Sequence, residues 1–418
     1  MKKVLIISNN CFSNSGSNGR TLENLFYDWD KEKIAQFYIN SEIPNSEVCN
    51  NYYQITDKDV LKKIFSKKLG RVLTNENLKE KLITKKKQNK KSALKMLIRN
   101  FLWNVKKVEK NSLNDWLEKF NPEIIFLMAG DSPFIYNIAR KIAQQKKIPL
   151  IIYNTEDYIF KKNDYFIKKN KLFYFIFKKI LKNSFEKTIK YSNCSIYLNE
   201  KLQKTYHTYY NHKSYVVMNS GRNIKNYSTK VNKKLRISYF GNLGLGRIES
   251  LIQVGEIVKE IDKNLEITIY GKITEEQKEI LLNNDNVLTY KGEISYAEVI
   301  KNMAETDILL HIENFSDYYR EELKHAFSTK IPDCLYSHRC FLLYAPREIA
   351  VTEYLLNNKA AWVADDKNKL REILQKIIKN KDMRKKYVEA GLSLAIKNHN
   401  LQNNLKKVMS LIENEGKY

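Results

Sequence analysis

Residues 235–251, LRISYFGNLGLGRIESL, constrain this chain more than any other stretch. Leu235, Ile237, Tyr239 and Phe240 make a short apolar and aromatic run that stops at Gly241, Gly244 and Gly246. Ile248, Leu251, Ile252, Val254 and Ile257 then recur at helical spacing. Strand, glycine-rich turn and helix are the parts with which α/β folds aim backbone N–H groups at a phosphate. Arg247 stands at the opening of the helix. The spacing G-x-x-G-x-G differs from the dinucleotide fingerprint, and no Walker lysine follows. Taken alone, the stretch suits a phosphate-bearing ligand and a plain strand-to-helix turn equally.

The rhythm repeats on both sides of it. Strands are expected over 2–8, 35–40, 123–128, 148–153, 194–198 and 215–218, with helices after Gly19-Arg20-Thr21 and over 134–146 and 200–210. Residues 57–119 read as mostly helical with a polar break at 85–91. The second half predicts strands over 235–240, 265–270, 287–290, 308–312, 340–344 and 361–363 with short helices between, then terminal helices to 414. Strands alternating with helices argue for parallel, doubly wound sheets. A chain of 418 residues exceeds one ordinary core. Two units are therefore expected, 1–221 and 235–399, joined by a polar, basic linker over 222–234, with a C-terminal helix near 400–418 that could pack back on the first.

The net charge of +26 is unevenly placed. Residues 84–110 carry a net +9 and residues 160–190 a net +8, together 17 of the excess. A local anionic partner accounts for that concentration better than overall composition. Within the first stretch Ala93, Leu94, Leu97, Ile98, Phe101, Leu102 and Val105 form an apolar stripe, with Trp103 at its margin and Lys95, Arg99 and Lys106 beside it. A core helix and an interfacial helix on anionic lipid both use such a stripe. Residues 172–181, LFYFIFKKIL, are apolar, aromatic and bounded by lysines, which favours a membrane surface. Cys11, Cys49, Cys194, Cys334 and Cys340 lack paired spacing and read as free thiols of a reducing compartment rather than a zinc site. The polar exits of two strands, Gly130-Asp131-Ser132 and Asn154-Thr155-Glu156-Asp157, lie where α/β sheets present ligand groups.

With residues 327–366 added, the second half resembles glycosyltransferase family 4, retaining enzymes of the GT-B fold that use nucleotide-sugar donors. The nearest likenesses are bacterial capsule, O-antigen and exopolysaccharide transferases. The resemblance implies two Rossmann-like domains facing a central cleft. It implies that Gly241, Arg247 and Lys330 meet the donor diphosphate, with Asn242 standing where the family carries a second basic residue. It further implies that Ser328 and Thr329 approach the distal phosphate and sugar, and that Asp333 takes the ribose hydroxyls. Gly292, Glu293 and Ile294 would meet the base, Gly271 would close the neighbouring strand, and Gly19 would approach the diphosphate from the first domain. His325 occupies the place of the family's first acid, with Glu322 one turn away. Asn154 occupies the place of a histidine that contacts the transferred sugar, so Glu156 or Asp157 is expected to orient acceptor or sugar.

The implied reaction moves a hexose from UDP or another nucleoside diphosphate to a hydroxyl with retention, without a metal and without a further cofactor. The acceptor is expected to be a glycan, lipid-linked because both basic, aromatic stretches fall in the first unit. An anionic membrane would engage 84–110 and 160–190, placing the chain in the cytoplasm, peripheral on the inner face of the membrane. A nucleic-acid partner is disfavoured, since no helix-turn-helix, RRM or zinc-finger pattern occurs. A GT-B nucleotide-sugar epimerase and a degenerate, binding-only relative are the remaining readings.

Overall fold

The computed structural model describes residues 1–14, 17–62, 69–73, 92–105, 112–161, 171–221, 232 and 234–415. Most of the predicted linker, 222–231 and 233, and parts of both basic stretches, 84–91, 106–110 and 162–170, fall outside the described residues. The chain divides into two compact units, residues 1–218 with 402–418, and residues 219–401.

The first unit is built on eight strands: β1 (Val4–Ser8), β2 (Ile34–Tyr38), β3 (Tyr52–Gln54), β4 (Arg71–Leu73), β5 (Ile124–Met128), β6 (Leu150–Asn154), β7 (Cys194–Tyr197) and β8 (Ser214–Val216). Their order is β4-β3-β2-β1-β5-β6-β7-β8, parallel throughout except for the antiparallel β3–β4 pair. β1, β5 and β6 are buried at every residue. That explains their unbroken apolar runs, because helices cover both faces of a parallel sheet. The two short strands β3 and β4 bracket the helix Asp57–Lys62; β3 was not predicted, and β4 interrupts the region 57–119 read as mostly helical. At three residues each they are too short to show a period, and only pairing, β3 on β2 and β4 on β3, makes them strands. Two buried glutamines fix the loops above them. Gln36 accepts from Phe12 N and donates to Ser8 Oγ and Asn10 O, while Gln54 donates to Asn40 O and Glu42 O and accepts from Arg71.

The helix Ala93–Val105 is turned relative to its apolar stripe. Ala93, Met96, Asn100 and Trp103 face inward, whereas Leu94, Ile98 and Phe101 are exposed. Trp103 stacks on Phe134 at 4.3 Å and donates to Asp57 Oδ1, so the aromatic placed at the margin is the anchor. The helix Lys171–Ile189 is divided likewise. Tyr174, Phe177, Leu181 and Phe185 enter the core, and Leu172, Phe175 and Ile176 stay exposed.

The second unit carries β9 (Ile237–Phe240), β10 (Ile267–Tyr270), β11 (Leu288–Tyr290), β12 (Ile308–Ile312), β13 (Cys340–Tyr344) and β14 (Trp362–Ala364). The order β11-β10-β9-β12-β13-β14 is parallel in every pair. Direction of winding reverses between β9 and β12, the position at which open α/β sheets leave a crevice. All six predicted strands are present, and a helix absent from the sequence reading, Asp317–Leu323, follows β12. The helix Leu401–Glu415 returns to the first unit: Asn404 donates to Met218 O, Lys407 to Val216 O, and Tyr215 to Glu415.

Just before that return, His399 is fully buried in the second unit. Its Nδ1 lies 2.7 Å from the Asn219 carbonyl, which can only accept, so Nδ1 carries the proton and Nε2 accepts from Tyr354 Oη at 2.9 Å. Burial pushes its pKa down to about 4. A depressed pKa means that the folded unit binds fewer protons than the unfolded chain. Its contribution is complete above the unfolded value near 6.5 and is lost as pH falls toward 4. Urea unfolding of the second unit should lose about 3 kcal/mol across that window from His399 alone. His399→Phe should flatten that part of the pH dependence.

Candidate functional site

Within the second unit the predicted phosphate turn sits at the crevice of the sheet. Gly241, Gly271 and Gly292 end β9, β10 and β11 side by side, with φ of +147°, +151° and +91°. Gly241 N donates to Tyr270 O at 2.8 Å, Gly271 N donates to Gly292 O at 2.9 Å, and Tyr290 Oη donates to Gly271 O. A Cβ on Gly271 would overlap the Gly241 carbonyl, and one on Gly241 would overlap the Lys330 ammonium. Backbone and cation therefore meet at a distance that only glycine permits.

Past Gly241 the turn is held by charge. Arg247 is 8% exposed and donates through Nε and Nη2 to the two carboxylate oxygens of Glu313, at 2.8 and 3.0 Å. Its Nη1 reaches Asn242 Oδ1 at 3.1 Å and Gly244 O at 3.3 Å. Asn242 thus binds the arginine where a second cation was expected. Glu313 follows β12, is 3% exposed, and lies 3.1 Å from His311 Nε2. Burial acts to raise its pKa, but Arg247 and His311 prevail and hold the carboxyl at about 2. Burial lowers the His311 pKa against the pull of Glu313. Asn314 donates to Gly246 O and Glu249, pinning the far end of the turn.

Lys330 approaches from the next loop. Its ammonium lies 5.8 Å from the Tyr239 ring centre. Burial and the neighbouring Arg247 lower its pKa to about 8, against the opposing influence of Glu313. Ser328 caps this loop through Lys330 N, and Thr329 is half-buried beside it. Asp333 is buried in the short helix Ile331–Tyr336 and accepts from Tyr296 Oη at 2.9 Å. Glu293 is exposed and Ile294 half-buried in the loop after β11, and His325 is buried.

The remaining candidates lie in the first unit. Gly19 is buried in the helix Ser17–Leu25, where a Cβ would stand 2.6 Å from Cys11 O and from Ser13 Cβ, so its small size seats that helix on the preceding loop. Asp157 caps its own turn, accepting from Ile159 N, Phe160 N and Tyr206 Oη. Glu156 is exposed and lines a cavity of about 900 Å³ at the strand ends, with Asn9, Asn10 and Asp131. Met96, Leu102 and Phe177 form its apolar wall. Arg99 joins the wall to its polar rim by donating to Asp57 and Ser132.

Glu313, His311 and Asn314 escaped the sequence reading. The signal was present as HIEN, polar residues interrupting and ending an apolar strand. Among the described residues no group of three or more His, Cys, Asp or Glu could hold a metal ion, and no helix is long and apolar enough to cross a membrane.

Comparison with known proteins adds two findings. Residues 253–410 match a family model described as glycosyl transferase-like. No curated protein sequence matches the chain. Solved structures match along nearly the whole length. The Anabaena HepE structure in complex with UDP shares 9% identity at a TM-score of 0.65, covering 98% of this chain and 99% of that one. TarM, a Staphylococcus aureus protein, shares 12% at 0.62, covering 98% of each chain. WaaG, a glycosyltransferase involved in lipopolysaccharide biosynthesis, shares 13% at 0.57, covering 98% and 100%.

The glycine contacts separate two kinds of cost. Gly292 has positive φ but only open space where a methyl would be added, so Gly292→Ala should cost the second unit about 1 kcal/mol. Gly271→Ala adds overlap with backbone and should cost at least about 3 kcal/mol. Urea midpoints of the two variants measure the difference. The fold carrying these glycines, two Rossmann-like parallel sheets, is the GT-B fold, and its second unit bears the glycosyl transferase-like region.

Proposed function

We propose that this chain is a retaining glycosyltransferase that moves a hexose from a nucleoside-diphosphate sugar, UDP-linked by preference, to a glycan acceptor. The observation that carries the reading is the meeting of the Lys330 ammonium with the Gly241 turn at the sheet crevice of the glycosyl transferase-like unit. Such a transfer depends on stabilising the departing diphosphate. Fixed cations and backbone N–H groups accomplish this without reorganising as charge develops. Asp333 is suitably placed in the same unit for ribose hydroxyls, and the loop 292–294 for the base. HepE, which has been crystallised with UDP and with UDP-glucose, supports the choice of donor.

The first unit supplies the acceptor side. Its cavity has carboxylates and amides on one rim, suited to sugar hydroxyls, and an apolar wall opposite. The walls belong to helices whose outer residues Leu94, Phe101, Leu172, Phe175 and Ile176 are exposed, with Lys171, Lys179 and Lys182 among them, while Ile98 and Lys95 line the cavity. An apolar face ringed by lysines suits an anionic membrane surface, where each lysine adds about 1 kcal/mol. That supports a lipid-linked acceptor and a peripheral position on the cytoplasmic face. Five buried, free cysteines suit a reducing compartment.

Lys330→Ala should lower kcat/KM for the preferred donor about 100-fold, or about 3 kcal/mol, with the fold retained. A thermal-shift panel of UDP- and GDP-sugars identifies that donor, and absence of any binding or turnover would overturn the enzyme reading. Lys179→Glu with Lys182→Glu should weaken binding to phosphatidylglycerol liposomes at least fivefold. Lys178 is left intact in this test because it donates to Tyr158 O. Equal liposome binding would detach the membrane from this face.

A further inference from the structure

The donor-side turn contains more charge than a phosphate clamp needs, and the charges are not equivalent. All three guanidinium nitrogens of Arg247 are engaged, two by Glu313 and the third by Asn242 Oδ1 and Gly244 O. Drawing Arg247 onto a phosphate would strand a carboxylate that is 3% exposed, which is a costly state. It would also release the bonds that shape the turn between Asn242 and Arg247. Lys330 is placed differently. No hydrogen-bond acceptor holds its ammonium among the described residues, and it lies directly against the Gly241 backbone.

We infer that Glu313 is a positioning residue of the donor site: by engaging Arg247 it makes that arginine a strut of the glycine turn and leaves Lys330 as the cation that meets the phosphate. This rests on the donor reading given above. It also gives Asn242 a role, since a second basic residue there would repel Arg247 instead of accepting from it.

The arrangement couples the protonation of Lys330 to its surroundings. Arg247 faces it from the helix Arg247–Ile261, Glu313 and His311 from the end of β12, and Tyr239 from β9, while Asp333 and Cys334 share its own helix. Arg247 disfavours the ammonium and Glu313 favours it. Removing either partner should therefore move the titration in opposite directions.

The experiment is UDP and GDP binding by calorimetry from pH 6 to 9.5, with the Lys330 titration followed by NMR after ¹³C reductive methylation. The Lys330 signal is assigned by its loss in Lys330→Arg. Wild-type binding should weaken as pH rises through the Lys330 titration, and Lys330→Arg should bind without that alkaline loss. Glu313→Gln should shift both the titration and the alkaline loss down by about one pH unit. Arg247→Gln should shift them up, because the cation that disfavours the ammonium is gone. It also provides the test should Glu313→Gln fail to fold.

A uniform drop in affinity at every pH in Glu313→Gln, with the Lys330 titration unmoved, would reduce Glu313 to a structural role and overturn the inference. A Lys330 titration that stays where it is in a folded Arg247→Gln would do the same, by showing that the Arg247–Glu313 pair does not set the charge at Lys330. Absence of binding to both nucleotides would overturn the donor reading. The Lys330 titration would still decide whether Glu313 and Arg247 control it.

Discussion

A buried ion pair, Arg247 with Glu313, lies where the winding of the second sheet reverses, and the local architecture depends on it. The arginine opens the helix after β9 and the carboxylate ends β12, so the pair ties together the two central strands whose neighbours diverge. Burying two charges is favourable only when geometry and additional hydrogen bonds offset the loss of water. Here the contact is bidentate, and His311, Asn242 and Gly244 bind what remains. The turn between Gly241 and Arg247 takes its shape from this network.

The two units meet related demands by different means. In the first, neutral amides hold the loops at the strand ends: Gln36 and Gln54 bind backbone groups. In the second, charge and glycine do that work. Neutral hydrogen bonds fix a loop without setting a field, whereas fixed cations set a field that can stabilise a leaving group. Under the function proposed above, that division suits an acceptor side that reads hydroxyl groups and a donor side that receives developing negative charge.

Much of the fold was legible in the sequence for a physical reason. Strands of a covered parallel sheet are buried on both faces and read as unbroken apolar runs, as β1, β5 and β13 do. Three-residue strands have no such signature, so β3 went unassigned and β4 was hidden in a region that read as helical. The helix Ala93–Val105 shows a different failure. Its apolar residues were visible, but which of them face inward depends on Trp103 stacking on Phe134 and bonding Asp57 across 46 residues.

By itself the sequence determined the alternation of strand and helix, the glycine turn after β9 and the residues that surround it, because these depend on local period and on the freedom of glycine. It located Arg247, Lys330, Asn242 and Asp333 by spacing and by family resemblance. What each of them touches was decided only by the tertiary structure. Glu313 is 66 residues from Arg247 and meets it because β9 and β12 lie side by side, and Lys330 is 89 residues from the Gly241 that it reaches. Spacing along a chain reports which groups are present. The division of charge into a buried strut and a cation at the turn arises from contacts that only folding creates.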